Sequence, residues 1–561
     1  MSADPHALPR FRRWSPWAAA GAVALAHAWV ALVLLDPAVL LSVDAAVKLL
    51  QAQALLASNW TSVALPYPAA AIDPGGEFFP FLPPFAFRVG AEWHGIFPTS
   101  VAMLNALALR AGIQGVVGLS VVGGFVAMVA AAHLSTGRAA RLAISLVLGA
   151  ATPFWFYAVL PWEHAPAAGL STAAVALAGR DASPTRLRWA GVLLGFAIAL
   201  RDESVLLVPG LLWAGFRMRV RPTTLVALLA LCALPSIGVG LLDGVVYARP
   251  VAAHVRHATD PLQWVGLAAA PDLPRRPPLP LAERYDIVMH EWLLGYRGHV
   301  QSLLFLGLLA GVALGRRSEL RVWGVLVVLC LVLGGHLRDL QVLLPHPDFA
   351  TGLLRLAPVL IFAALPLARP EAACRLRSEL LCSAAIFVAG MIVLTSTTGG
   401  ASLGPRLLVP ILPLLAAGAS DGLDSYREAR HSRLEYRIIW LVGLTLLAGS
   451  ILMQLAVAAP AYIAFNRSER QPVRWLKEAS GPVIVDSTFT ASVAHPVYAR
   501  RPVLLAGTQS KAAAIASRLA ARGYEDLIVV SREQQEVLQF PPFRLVDTRR
   551  TAHTVVQHWM R

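Results

Sequence analysis

The chain has 561 residues, of which 57% are hydrophobic and only 14% are charged, and its mean hydropathy is +0.60. Soluble globular proteins carry about 25% charged residues, and a single aqueous core stops growing near ~250–300 residues. These values exclude a soluble enzyme, a disordered protein and a fibrous repeat, and they predict a polytopic membrane protein.

The basic residues are distributed in short clusters between apolar runs. Lysines and arginines number 48 against 33 acidic residues, which gives a net charge of +15. Positive charge concentrated in short loops is typical of the cytoplasmic side of a membrane protein, so this pattern argues against a nucleic-acid partner. The clusters lie at 10–13, 138–141, 180–188, 217–221, 316–321, 369–377 and 427–437.

Apolar runs of about 20 residues, threaded so that the arginine clusters remain inside, predict about thirteen membrane helices. Asp36 and Pro37, rather than a cleavage site, follow the first run, so we expect that helix to be retained. Two long outer loops are predicted at 36–114 and 243–298. The predicted helices are 17–35, 115–134, 140–159, 164–179, 189–200, 204–216, 223–242, 300–315, 322–337, 350–368, 378–396, 404–420 and 438–459.

The C-terminal residues differ in composition from the rest of the chain. Buried strands are predicted at 482–486, 502–505 and 527–530, with a helix at 511–523 between the last two. The predicted fold class is therefore an all-α polytopic membrane protein with a small C-terminal α/β domain. The predicted domains are a cytoplasmic N-terminus (1–16), a transmembrane domain (17–459) and an extracytoplasmic α/β domain (460–561), in a cell inner (plasma) membrane.

Polar residues gather on the predicted outer face, where acids, histidines and arginines occur together. Charged residues are costly in membrane segments, so such clusters mark functional sites. The candidates are Asp44 and Lys48 in the first outer loop, Glu163 and His164 at a hairpin tip, Arg201 between two helices, His257, His290 and Glu291 in the second outer loop, and Arg355 and Arg406 near helix starts.

A carboxylate and several guanidiniums beside a membrane fit a lipid-linked phosphate substrate. Arginines bind phosphate through charge-assisted, often bidentate hydrogen bonds, and a carboxylate can take the proton from an attacking hydroxyl. A sugar that arrives on a polyprenyl tail requires no nucleotide site, and the sequence has neither a Walker nor a Rossmann fingerprint.

Several of these candidate residues also have a purely structural interpretation. Asp44 fits the N-cap of a helix, and Lys48 fits a salt-bridge partner or a residue that snorkels to water. Arg201 and Asp202 fit a structural ion pair, and Glu163 fits a cap at the membrane interface.

Metal binding has little support in the sequence. His254, His257 and His290 lack the HxxxH or HExxH spacing of metal sites. The four cysteines form no CxxC pair, so neither a disulfide framework nor a thiolate site is predicted. No cofactor is therefore assigned, although a divalent cation remains open.

Five segments carry short motifs next to predicted helix ends. They are SVDAAVKLLQAQALL (42–56), HGIFPTSVAMLNALALRAG (94–112), GFAIALRDESVLLVPGLL (195–212), FATGLLRLAPVLIFAALP (349–366) and TGGASLGPRLLVPILPLL (398–415). In order and setting they resemble the GT-C superfamily of membrane glycosyltransferases, which includes the protein O-mannosyltransferases and the lipid A aminoarabinose transferase. The resemblance covers roughly residues 17–420.

The resemblance implies an inverting transferase that uses a polyprenyl-phosphate sugar. Asp44 matches the catalytic aspartate and acts as the general base, with Glu163 as the next candidate. Arg201 and Arg406 match the recurrent arginines beside the phosphate. Lys48 and Arg355 are further candidates for the phosphate, and the cavity candidates are His164, His257, His290 and Glu291. One departure is Ala45, where the mannosyltransferases have a glutamate.

Three other functions remain open. A transporter or flippase for a lipid-linked glycan would show internal repeats and broken helices at mid-membrane. A glycan ligase or polymerase would carry its largest outer loop in the C-terminal half. A sensor would depend on the C-terminal residues and tolerate changes at Asp44. For the transferase, the expected partners are the polyprenyl-linked sugar, membrane lipid and a glycan, lipid or protein acceptor.

Overall fold

The structure of the protein is a computed structural model. The chain forms two compact units. The first unit comprises 1–30, 117–238 and 277–461, and the second comprises 31–116, 239–276 and 462–561. The residues that it describes are 11–40, 42–83, 85–135, 137–180, 183–247, 279–294, 352–365, 372–395, 404–431, 433–532 and 538–561. The predicted helices 300–315 and 322–337 lie outside these residues.

The described chain is mostly helical. In the N-terminal half, the α-helices are α1 (Phe11–Trp29), α2 (Val43–Ala57), α3 (Thr99–Leu109), α4 (Ile113–Leu134), α5 (Arg138–Ala150), α6 (Phe154–Val159), α7 (His164–Arg180), α8 (Pro184–Leu200), α9 (Val208–Arg217) and α10 (Pro222–Leu241). Further α-helices are Leu281–Tyr285, Leu353–Leu356, Ala372–Leu394, Leu412–Ala429, Leu434–Leu452, Ala459–Glu478, Thr488–Val493, His495–Tyr498 and Gln509–Ala521.

Among the residues that the structure describes, seven short segments are helices with a tighter turn (3₁₀) or a wider turn (π) than the α-helix. The 3₁₀-helices are Asp202–Leu207, Pro358–Ala363 and Arg406–Ile411, and the π-helices are Val30–Leu34, Leu242–Val246, Asp286–Leu294 and Met453–Ala458.

Five helices among the described residues are long and apolar enough to cross a membrane. They are Pro16–Leu34, Ile113–Leu134, Pro222–Val246, Arg406–Ala429 and Leu434–Glu478. A total of about thirteen spans stays a prediction.

The predicted helices 115–134 and 164–179 agree closely with α4 and α7. The prediction of one helix at 140–159 is wrong, because the chain leaves the helix after Ala150 and starts α6 behind Pro153, whose ring nitrogen has no hydrogen to donate. The predicted helix 404–420 begins as a 3₁₀-helix around Pro410 and then continues to Ala429.

The described residues of the second unit form two sheets. In the first, β1 (Ala64–Leu65), β2 (Ala86–Val89) and β3 (Glu92–Gly95) pair antiparallel in the order β1-β3-β2. The second comprises β4 (Val483–Val485), β5 (Val503–Leu505), β6 (Asp526–Arg532), β7 (Arg544–Arg550) and β8 (Thr554–Met560) in the order β5-β4-β6-β8-β7. Strands β5, β4 and β6 are parallel, and β8 and β7 pair antiparallel beyond them.

One hydrophobic core joins the first predicted outer loop to the C-terminal sheet. Ile72 and Phe78 are buried together with Leu504 and Trp559. The carbonyl oxygen of Phe78 also accepts a hydrogen bond of 2.8 Å from the backbone N–H of Leu505. Residues of the loop 36–114 therefore belong to the folded core of the second unit.

A buried carboxylate holds the same loop in place. Asp73 is fully buried and accepts hydrogen bonds from the Tyr67 hydroxyl (2.7 Å) and the Phe78 backbone N–H (2.8 Å). Arg518, on helix Gln509–Ala521, donates to its other oxygen at 3.1 Å. Burial and the neighbouring carboxylate raise the pKa of Tyr67 well above its usual value, so its hydroxyl remains a donor.

Candidate active site

Helix α2 begins at a side-chain cap that places Asp44 in its first turn. Ser42 is the N-cap, with extended backbone, and its Oγ accepts a hydrogen bond from the N–H of Ala45 at 3.3 Å. The interpretation of Asp44 as the N-cap is therefore wrong. Asp44 is buried in the first helical turn, where the partial positive charge of the helix N-terminus favours a carboxylate.

Lys48 lies one turn after Asp44 and is only 1% exposed. Its ammonium nitrogen is 4.4 Å from the centre of the Phe97 ring, a cation–π distance. A snorkelling lysine keeps its charged group in water, so that interpretation is wrong for Lys48. Phe97 is not among the predicted site residues, although it lies in the HGIFP motif (94–98), which begins within the last two residues of β3.

A glycine allows this motif to approach α2. A methyl group at Gly95 would lie 2.6 Å from Cγ1 of Val47, well inside van der Waals contact. Gln51 is fully buried on the same helix, and its side-chain nitrogen donates to the carbonyl of Phe97 at 3.3 Å. The buried polar face of α2 is therefore closed by the segment 95–97.

In the first unit, Arg201 joins two carboxylates. Arg201 is the C-cap residue that follows α8, and its Nη1 donates to Oε1 of Glu163 at 3.0 Å. Its Nε and Nη2 contact Oε1 of Glu203 at 2.8 and 2.6 Å. The side chains of Glu163 and Glu203 are 2% and 10% exposed. The sequence suggested a structural ion pair between Arg201 and Asp202, whereas the structure pairs Arg201 with Glu163 and Glu203.

His164 lies against this cluster inside an aromatic wall. Its Nδ1 is 3.9 Å from Oε1 of Glu163. The rings of Tyr157 and Trp162 are centred 5.2 and 5.1 Å from its imidazole. All these side chains are buried, so the hairpin tip is an internal polar and aromatic cluster.

The Gly-Pro-Arg element (404–406) is hydrogen-bonded to the same hairpin. The Tyr157 hydroxyl donates to the carbonyl of Gly404 at 3.2 Å. Gly404 has φ +70, and a methyl group there would be 3.1 Å from both Leu356 and Pro153. The segments that carry Arg355 and Arg406 are therefore adjacent, and the 3₁₀-helix that begins at Arg406 packs on α7.

His290 and Glu291 lie on the π-helix Asp286–Leu294. His290 is buried, and its Nε2 is 3.8 Å from Oδ1 of Asp286. This π-helix contacts the short helix of Arg355. The remaining cavity candidate, His257, lies outside the described residues.

No group of three histidines, cysteines or acids is placed to hold a metal ion within the part of the chain that the structure describes. The candidate residues that the structure describes offer carboxylates, guanidiniums, the ammonium of Lys48 and imidazoles.

The fold of the whole chain is similar to that of solved structures. No protein-family model and no curated protein matches the chain. The solved structure of ArnT from Cupriavidus metallidurans bound to undecaprenyl phosphate is similar, with a TM-score of 0.51 and 14% identity. The same protein in the apo state has a TM-score of 0.50 and 14% identity. Each comparison covers 96% of this chain and 97% of that chain.

ArnT is a lipid A aminoarabinose transferase of the GT-C family. The resemblance predicted from the sequence is therefore confirmed at the level of the fold. With its apolar helices, the chain is a multi-pass membrane protein with an ArnT-like fold.

Proposed function

We propose that the chain is a membrane glycosyltransferase that moves a sugar from a polyprenyl-phosphate donor to an acceptor hydroxyl on the outer side of the membrane. The observation that carries the proposal is the likeness in fold, over 96% of the chain, to an ArnT structure that contains undecaprenyl phosphate. A buried carboxylate and buried or half-buried cationic groups at the motif positions support it.

Asp44 is the proposed general base. Its carboxylate is buried in the first turn of a well-capped helix, and buried Lys48 lies one turn further along the helix. Such a site restricts the rotamers of the carboxylate and limits its contact with water. Both effects favour proton transfer from a positioned hydroxyl.

The phosphate of the donor is proposed to contact Arg406 and Arg355, whose segments are adjacent in the first unit. Arg201 is already paired with two carboxylates. That negative charge opposes a phosphate, so we assign Arg201 chiefly to holding Glu163 and Glu203 in position.

The proposed reaction is a single displacement at the anomeric carbon. Asp44 takes the proton of the acceptor hydroxyl while the hydroxyl oxygen forms its bond to the anomeric carbon from the face opposite the phosphate. The bond between that carbon and the phosphate oxygen breaks, and the polyprenyl phosphate leaves with the electron pair. The configuration at the anomeric carbon is thereby inverted.

Transfer from radiolabelled polyprenyl-phosphate sugars, in membranes that contain equal amounts of folded protein, tests the proposal. We expect wild type to release label from the lipid and Asp44→Asn to be slower by about 10²–10⁴-fold. The matched control is Asp36→Asn, because Asp36 lies in the same loop and its Oδ1 accepts only a local hydrogen bond from Ala38, which asparagine can also accept.

Two outcomes would contradict the proposal. Equal rates for wild type and Asp44→Asn would refute Asp44 as the base. A wild-type protein that releases no label from any polyprenyl donor would refute the transferase itself.

A further inference from the structure

A cleft of about 310 Å³ opens on one face of the C-terminal sheet. It lies between the C-terminal end of helix Ala459–Glu478 and strands β6, β8 and β7. Its charged and aromatic lining comprises Trp475, Glu478, Asp526, Asp547, Arg549 and His558. All of these residues belong to the second unit, and none of them is used in the proposed transfer reaction.

The strand register directs these side chains to the same face. Ile528 on β6 and Asp547 on β7 both pair with His558 on the intervening strand β8. Between Leu545 and Asp547 the register of β7 shifts by one residue. Such a bulge transfers the following residues to the opposite face, and here it brings Asp547 and then Arg549 into the cleft.

Three carboxylates and one guanidinium line the cleft, although the chain as a whole carries +15. Arg501, beside the lining, adds a positive charge that acts on Asp526. Asp547 is compensated by Arg549, whose Nε lies 2.9 Å from its Oδ2. Asp526 lies 3.5 Å from Nε2 of His558, and this nitrogen makes no hydrogen bond among the described residues. Glu478 adds a third, exposed carboxylate.

An aromatic surface completes the cleft. The indole of Trp475 is half-buried, and the guanidinium of Arg549 is 5.7 Å from its ring centre. Small-molecule sites combine such an apolar surface with a few convergent polar groups, and their volumes begin near ~300 Å³. The cleft lies at the lower end of this size range, and its lining is more polar than that of a typical site, with Trp475, Ile528 and Val556 as its larger apolar side chains.

We propose that this cleft binds a sugar ring that carries no negative charge. A pyranose ring has a face of C–H groups that packs on an indole, and its edge carries hydroxyls that donate to carboxylates. The excess of carboxylates excludes phosphorylated and uronic sugars and favours rings that carry an amine.

The inference goes beyond the transfer reaction, because binding at this cleft requires neither a polyprenyl donor nor Asp44. It can therefore be tested when no transfer is observed, and its failure leaves the transferase proposal intact. The test uses the full chain in detergent and ligand-detected NMR with three oligosaccharides of equal length. One is neutral, one bears amines and one is composed of uronic acids.

We expect the neutral and amine-bearing oligosaccharides to bind and the anionic one not to bind. Trp475→Leu and Asp547→Asn should each weaken binding about tenfold, and Trp475→Phe should restore most of it. Glu525→Gln is the matched control, because Glu525 is exposed and does not line the cleft. Unchanged melting temperatures show that the variants are folded.

Three results would overturn the proposal: no binding of either uncharged or amine-bearing sugar by wild type, equal binding by wild type and both cleft variants, or equally tight binding of the uronic oligosaccharide.

Discussion

The guanidinium of Arg201 and the carboxylate of Glu163 lie 3.0 Å apart, and the glutamate side chain is only 2% exposed. A buried charge that loses its partner destabilises a protein more than the intact pair stabilises it. The two residues should therefore behave as one unit in mutational experiments, together with Glu203.

The first prediction is a double-mutant cycle on this pair. Arg201→Ala should be more destabilising than Glu163→Ala, because it leaves two carboxylates without their shared cation, whereas loss of Glu163 leaves Arg201 paired with Glu203. The double variant should be less unstable than the sum of the single variants by about 1–3 kcal/mol. Unfolding in detergent measures this difference, and strictly additive effects would contradict the prediction.

The second prediction concerns the close approach of Gly95 to α2. Gly95→Ala places a methyl group 2.6 Å from Cγ1 of Val47 and still closer to the side chain of Gln51, so these buried side chains of the helix that carries Asp44 have to move. We expect a loss of about 1–3 kcal/mol in stability and a lower transfer rate. Gly75→Ala is the control, because its methyl group would meet only the side chain of Glu77 at 3.6 Å. Equal effects of the two variants would disprove the steric argument.

The third prediction concerns Arg518, which donates to Asp73 at 3.1 Å and to Glu77 at 2.9 Å. Its removal leaves the fully buried carboxylate of Asp73 with neutral donors only. Because Arg518 is 38% exposed, solvent screens part of the interaction. We therefore expect Arg518→Ala to lower the free energy of unfolding by about 1–3 kcal/mol.

The control for Arg518 is Arg522→Ala, at the end of the same helix, where the arginine is exposed. Thermal unfolding in detergent should show a lower melting temperature for Arg518→Ala and almost no change for Arg522→Ala. Equal melting temperatures for Arg518→Ala and Arg522→Ala would contradict a stabilising role of Arg518 at Asp73.

The fourth prediction is a pH dependence that arises from His495. Burial, with a smaller contribution from nearby Lys477, lowers the pKa of His495 from 6.5 to about 4. Between these values the unfolded chain binds a proton that the native state does not bind. The contribution of neutral His495 to stability is therefore fully present above pH 6.5 and is lost as the pH falls to 4, by up to about 3 kcal/mol.

His495→Leu should remove this contribution and flatten the stability curve between pH 6.5 and 4. The matched variant is His553→Gln, at an exposed histidine of the same unit, which should keep the wild-type slope. Denaturant unfolding at several pH values provides the measurement. A slope that persists in His495→Leu would show that other groups cause it.

Local hydropathy patterns were sufficient to predict those helices and strands whose first and last residues are determined by neighbours in the sequence. The predicted helix 164–179 lies within α7, and the predicted strand 527–530 lies within β6. The Thr152-Pro153 break in the predicted helix 140–159 is also a local feature, but the strong hydropathy on both sides obscured it.

Long-range contacts could not be predicted from one sequence. Glu163 and Arg201 are 38 positions apart, and nothing in the spacing of their motifs indicates that they meet. Likewise, the cation–π contact of Lys48 requires the turn that brings Phe97 back to α2. Such pairs depend on the packing of whole elements, whereas periodicity reports only which residues are apolar.

The packing of Phe78 beside β5 has a consequence for fragments of this protein. Strand β5 lies at one edge of the C-terminal sheet, and the Phe78 carbonyl occupies one of its N–H groups. The opposite edge, β7, is rich in charge (Arg544, Asp547, Arg549 and Arg550), which discourages pairing with another chain. A fragment restricted to residues 467–561 would keep the charged edge but expose Val503, Leu504 and Leu505, so it would self-associate through β5.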